Sequence, residues 1–129
     1  MTPCIIIEDE PLGAGILAEY VQMTKILKLL GQFQLLSEAW QAISQNPGAL
    51  IYIDINFKGV NVNREDIAHI LSFSSRIVFV TAYPKNHLIV KNLIISEDLG
   101  YLQKPFSYNT FHFVLNQVLS IREEKKNTL

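Results

Sequence analysis

Cysteine is nearly absent from this chain: 129 residues hold one, Cys4. A single thiol excludes an internal disulfide framework and makes a reducing, cytoplasmic compartment the expectation. Long apolar runs are lacking too. Nowhere do the roughly 18 uncharged apolar residues of a membrane span follow one another. No basic segment precedes an apolar run at the N-terminus, so no signal peptide is expected. An excess of either charge is also missing. Eleven Lys and Arg stand against 12 Asp and Glu, a formal net charge of −1, which gives no basic surface for direct contact with nucleic acid. There is no internal repeat and no low-complexity tract. What the chain does have is apolar residues: 49% hydrophobic against 18% charged is the balance of a compact protein, not a disordered one. Its length suits one domain with its own core.

The apolar residues fall into short runs. Cys4-Ile5-Ile6-Ile7, Leu50 to Ile55 and Arg76 to Thr81 are β-branched, apolar on both parities and bounded by polar residues. Such runs read as strands buried on both faces. Phe33-Gln34-Leu35-Leu36 and Gly100 to Gln103 read as two more. Between them lie helical spacings. Pro11 suits a first helical turn. Leu12, Ile16, Leu17, Tyr20, Met23, Leu27 and Leu30 recur at three and four residues, which predicts one long helix ended by Gly31. Gly13 and Gly15 would let that helix start close to the acids before it. Further helices are predicted from Ser37 or Glu38 to Asn46, with Trp40 and Ile43 inward, from Arg64 to Leu71, from Leu88 to Ile95, and from an N-cap at Ser107 through Ile121. The domain is expected over residues 1–121, with 122–129 a polar tail, either a frayed helix end or the start of a linker. Five strands alternating with five helices predict an α/β fold. The expected architecture is a five-stranded parallel sheet of order 2-1-3-4-5 with helices on both faces, a flavodoxin-like three-layer sandwich.

In such a sheet the active crevice lies beyond the C-terminal strand ends. The sequence delivers Glu8, Asp9 and Glu10 there from the first strand, Asp54 from the third, Thr81 from the fourth and Lys104 from the fifth. An acid cluster on two neighbouring strands is a hard, oxygen-rich site suited to Mg²⁺. A carboxylate there can attack phosphorus and form an acyl phosphate. Lys104 and the Thr81 hydroxyl would hold phosphoryl oxygens. Each feature also has a plainer reading. Acids at a strand end cap helices, Thr81 can be structural, and Lys104-Pro105 can be an ordinary strand exit. His69, His87 and His112 read as surface or satisfied residues, Trp40 as core, and Cys4 as an inert small hydrophobe. The convergence favours the site.

The motifs Ile7-Glu8-Asp9-Glu10-Pro11, Ile51-Tyr52-Ile53-Asp54-Ile55-Asn56, Val80-Thr81-Ala82 and Lys104-Pro105-Phe106 come in one order at near-typical separations. On them the chain resembles, over about residues 4–121, the receiver domains of two-component response regulators. The resemblance implies that Asp54 is the phosphoacceptor, that Asp9 binds Mg²⁺ directly with Asp54, that Glu8 acts through a metal-bound water, and that the Asn56 backbone carbonyl completes the protein's ligands. It implies phosphoryl contacts from Thr81 and Lys104, and a switch in which Tyr101 turns inward as Thr81 moves. The implied donor is a sensor histidine kinase or phosphotransfer protein. An effector domain in cis or in trans would read the result. The domain would then be a regulatory phosphoacceptor that catalyses only its own phosphorylation and dephosphorylation. Departures gather after Asp54, where Lys58 replaces a common Pro and Val62 a common Gly. Leu88-Ile89-Val90 and Leu93-Ile94-Ile95 carry more apolar residues than one buried face requires. That excess reads plainly as a deeply packed helix, or more sharply as a homodimer or effector surface on the fourth helix, fifth strand and last helix. The alternative class is a pseudo-receiver that works as an interaction module without phosphorylation. A phosphatase is disfavoured because Asn56 stands where a second Asp would serve as general acid. A flavodoxin is disfavoured because no glycine-rich phosphate loop follows the first strand.

Overall fold

The computed structural model describes residues 1–55 and 62–127, with side chains as far as residue 120. Strands and helices alternate: β1 (Thr2–Ile7), α1 (Pro11–Met23), β2 (Leu27–Phe33), α2 (Leu36–Gln45), β3 (Leu50–Asp54), α3 (Arg64–Ser72), β4 (Arg76–Thr81), α4 (Leu88–Leu93), β5 (Gly100–Gln103) and α5 (Tyr108–Asn127). The sheet is parallel throughout, in the order β2-β1-β3-β4-β5. That is the predicted architecture.

Parity along the strands builds the two cores, because successive side chains point to opposite faces. Cys4, Ile6, Leu50, Tyr52, Val78, Val80 and Leu102 share one face with Leu17 and Val21 of α1 and Phe111 and Leu115 of α5. Ile5, Ile7, Ile51, Ile53, Ile77 and Phe79 share the other with Ala39 and Ile43 of α2, Ile67 and Ile70 of α3, and Leu93 of α4. The whole of β3 from Leu50 to Ile53 is fully buried, so an acid can appear only where the strand ends. Gly100 holds α5 against β5: a Cβ there would stand 2.8 Å from Val118 Cγ2 and 2.9 Å from Val78 Cγ2.

The predicted long first helix is corrected. α1 stops at Met23, and Thr24 turns to extended geometry with its hydroxyl on the Tyr20 carbonyl at 2.8 Å. Leu27 to Phe33 is the second strand, so Gly31 lies within a strand and not at a helix end, and Leu36 opens α2. Leu27 and Leu30 continue the spacing of α1 by coincidence. As an edge strand, β2 buries Leu27 and then alternates exposed with half-buried positions, and β1 needs it as a hydrogen-bonding partner. Its pairing skips Leu30, with Cys4 opposite Leu29 and Ile5 opposite Gly31, so Leu30 is a one-residue bulge. α4 is shorter than predicted, ending at Leu93 with Ile94 as its cap. α5 continues to Asn127, through most of the polar tail.

Candidate functional site

Three strand ends meet above β1 and β3. Glu8 follows β1 directly and is almost wholly buried, at 3% exposure. Burial of a carboxylate requires a partner, and the partner comes from the far edge of the sheet: Lys104, just after β5, bonds Glu8 Oε1 through its Nζ. The same ammonium lies 3.3 Å from Asp54 Oδ1 at the end of β3. Asp9 completes the group. Glu8, Asp9 and Asp54 each offer one carboxylate oxygen within 4.8 Å of the others. The Lys104–Pro105 peptide is cis.

Gly13 is the residue that makes room. A Cβ at this position would fall 2.1 Å from Glu8 Oε1, well inside contact distance. The first turn of α1 can lie over the acids only because position 13 has no side chain. Gly15 faces open space, so only Gly13 does what was expected of the pair.

Charge is unbalanced in this pocket. Burial pushes the Asp54 carboxyl up to about 8, and the neighbouring Glu8 adds to the rise, while Lys104 pulls the other way. Burial opposes the charge on Lys104, but its bonds and attraction to Glu8 and Asp54 outweigh that and raise its pKa. Glu8 Oε2 is buried with no donor among the described residues. One cation for two near-buried carboxylates leaves either a proton on Asp54 or a further cation to offset the repulsion. Three converging carboxylate oxygens fit a hard divalent ion such as Mg²⁺. When bound, the ion would supply charge neutralisation for an incoming phosphoryl group. Asp9, Asp54 and Glu8 are the described residues able to hold it. The Asn56 carbonyl, also expected as a ligand, lies outside the described residues, as does Lys58. Val62 is described and buried, joining the α2–α3 core.

Thr81 and Tyr101 stand apart from the acids but are linked to each other. Thr81 is fully buried. Its hydroxyl donates to the Ile55 carbonyl at 2.9 Å, just past Asp54, and accepts from the Tyr83 N–H at 3.1 Å. The Tyr101 hydroxyl donates to the Tyr83 carbonyl. Burial raises the Tyr101 phenol above its ordinary pKa. Tyr83 therefore joins the two expected switch residues through its own backbone. The sequence reading missed it, since no side-chain chemistry marks a residue that acts through its peptide. Gly13 was expected, together with Gly15, to let the helix start close to the acids, but nothing singled it out from Gly15. Its spacing of five residues after Glu8 was the available signal.

A parallel 2-1-3-4-5 sheet carrying acids at β1 and β3, a hydroxyl at β4 and a lysine at β5 has the fold of response-regulator receiver domains. Solved structures it resembles include such domains. The signal receiver domain of a modulated diguanylate cyclase from Desulfovibrio desulfuricans G20 matches with a TM-score of 0.80 at 20% identity, over 97% of this chain and 98% of its own. The receiver domain of the PhyR response regulator from Erythrobacter litoralis matches at 28% identity and TM-score 0.72, over 92% of this chain and 89% of its own. The anti-anti-sigma factor PhyR from Bartonella quintana matches at 24% identity and TM-score 0.77, over 98% of this chain, which spans 51% of that protein. No family model and no curated protein matches the chain.

Proposed function

We propose that the chain is a phosphorylation-dependent signalling switch whose phosphoacceptor is Asp54. The observation that carries this reading is the single ammonium of Lys104 held between Glu8 and Asp54, with Asp9 completing the carboxylate group. A carboxylate oxygen of Asp54 attacks the phosphorus of a donor phosphohistidine. The O–P bond forms as the P–N bond breaks, and the leaving imidazole takes the electron pair and a proton from water. Lys104 then moves from a carboxylate to a phosphoryl oxygen, and the Thr81 hydroxyl is freed from Ile55 to bond another. Asp9, Asp54 and Glu8 would hold Mg²⁺, which when bound would supply charge neutralisation for the arriving group. Output passes through Thr81, Tyr83 and Tyr101 to the face formed by α4, β5 and α5. An effector domain in cis is one reader that face could serve, since a protein twice this length shares the fold. A second copy of the chain is another.

The test is adduct formation. Intact protein is incubated with Mg²⁺ and acetyl phosphate, or with a beryllofluoride salt, and weighed by mass spectrometry or followed by NMR. The expected result is one adduct on Asp54, lost in Asp54→Asn. Absence of any adduct on the wild-type protein overturns the switch and leaves the phosphorylation-independent interaction module.

A further inference from the structure

α4 begins without a Ser, Thr, Asp or Asn cap. In their place His87 occupies the N-cap, and its ring Nδ1 accepts from the Ile89 N–H at 3.1 Å. An N-cap acceptor satisfies one of the donors that every helix start leaves open. A histidine does so under a condition the usual caps lack. Nδ1 accepts only when its lone pair is free, which fixes the neutral ring as the tautomer protonated at Nε2. The next proton has only Nδ1 to bind. Protonation thus turns the acceptor into a second donor facing an N–H, and sets a positive charge at the positive end of the helix dipole. Both effects act against the cap.

The His87 ring stacks on the Tyr83 ring, with centroids 4.3 Å apart and planes 22° from parallel. The Tyr83 backbone receives the Tyr101 hydroxyl and donates to Thr81. We propose that His87 is a proton-controlled latch of α4, which holds the helix start and the Thr81–Tyr83–Tyr101 linkage together when neutral and releases them when charged. Tyr83 covers one face of the His87 ring, and Tyr101 stands one hydrogen bond beyond. Lys85 and Lys91, on its own segment, line an open groove with Asn86 and Ile94. α3 enters the same core as α4 with the apolar Ile67 and Ile70. Histidines in general change charge between about pH 5 and 8. The output face would therefore respond to acidity as well as to phosphorylation. The latch goes beyond the phosphoacceptor reading and does not need it.

The test is an NMR titration of the full chain between about pH 8 and pH 5, with no Mg²⁺ and no phosphoryl donor. In wild type, ¹⁵N shifts of His87 should show the Nε2–H tautomer at high pH. Ile89 amide protection, corrected for intrinsic exchange, should fall about five-fold through the His87 midpoint, the size of one lost cap. Tyr101 ring resonances should move with the same midpoint. His87→Asn keeps a capping oxygen but cannot titrate, and should flatten both responses. An Ile89 amide insensitive to the His87 midpoint overturns the latch. So does a response that persists in His87→Asn, or a Tyr101 that stays still while Ile89 moves. Beryllofluoride binding by the same samples reports separately on Asp54.

Discussion

At the scale of single residues, the site depends on a missing methyl group. Gly13→Ala should gain up to about 1 kcal/mol of helix propensity. Its Cβ would meet Glu8 Oε1 at 2.1 Å, and that oxygen is pinned by Lys104 and cannot swing into water. Overpacking of this kind costs about 1–3 kcal/mol, so the clash wins. The expected outcome is a lower denaturant midpoint and at least a tenfold weaker Mg²⁺ affinity by titration calorimetry. Gly15→Ala, in open space on the same helix, should instead stabilise by about 0.5–1 kcal/mol. Asp54 carries a second prediction at this scale. Its carboxyl is raised from about 4 in the unfolded chain to about 8. Between those values the folded state holds a proton that the unfolded state has lost. Stability without metal should therefore be greatest below about pH 4 in this contribution and decline as pH rises toward about 8. Mg²⁺ must displace the same proton, so its affinity should rise over the upper part of that window with proton release. Asp54→Asn should remove the stability slope, as read by urea midpoints across pH. The acids, Thr81 and Lys104 could be placed at strand ends from the sequence because each follows or closes an apolar run. The geometry that makes them a unit was not visible there. The ammonium of Lys104 reaches Glu8 across 96 residues of chain, and nothing local encodes that reach.

At the scale of elements, β3 and β4 were legible almost to the residue, because burial on both faces leaves mainly apolar side chains between polar ends. β2 was not. As an edge strand it buries Leu27 and leaves Leu30 at 37% exposure, and its leucines happen to continue the helical spacing of α1. Only pairing with β1 decides between the two periods, and that is tertiary information. α4 was overextended for a related reason. Ile94 and Ile95 are apolar because they pack in the core shared with α3, not because they lie in a helix. The seat of α5 gives a prediction of its own. Gly100→Ala would place a Cβ under 3.0 Å from Val118 and Val78. It should destabilise by about 1–3 kcal/mol in thermal or chemical unfolding, with Val118→Ala in the same chain recovering part of the loss.

At the scale of the whole molecule, the two cores have different neighbours. The α1–α5 side is closed by stacked aromatics, with Tyr52 and Phe111 centroids 5.3 Å apart. The α2–α4 side carries Tyr101 at its edge. Near that edge the surface is left apolar. Leu88 is 80% and Phe113 62% exposed, and an open groove of about 530 Å³ runs past Lys85, Glu97, Tyr101 and Phe113. Charges of both signs around apolar residues suit a self-complementary pairing of two copies. Sedimentation at about 50 μM, above the micromolar affinities of modest interfaces, should show monomer without beryllofluoride and dimer with it. Phe113→Asp should hold the chain as monomer while leaving the Asp54 adduct intact.

The bulge at Leu30 bears on how such a chain can change length. An extra residue has been accommodated there because the outer side of β2 meets solvent, and the strand regains its pairing at Gly31. The same insertion within β3 would reverse every side chain beyond it. Tyr52 would trade places with its isoleucine neighbours, and Asp54 would point away from Lys104. Among variants of this chain, insertions and deletions should therefore accumulate in the β2 edge and be purged from the central strands. Tolerance to a shift in reading along the sheet would then map the site as surely as any substitution at Asp54.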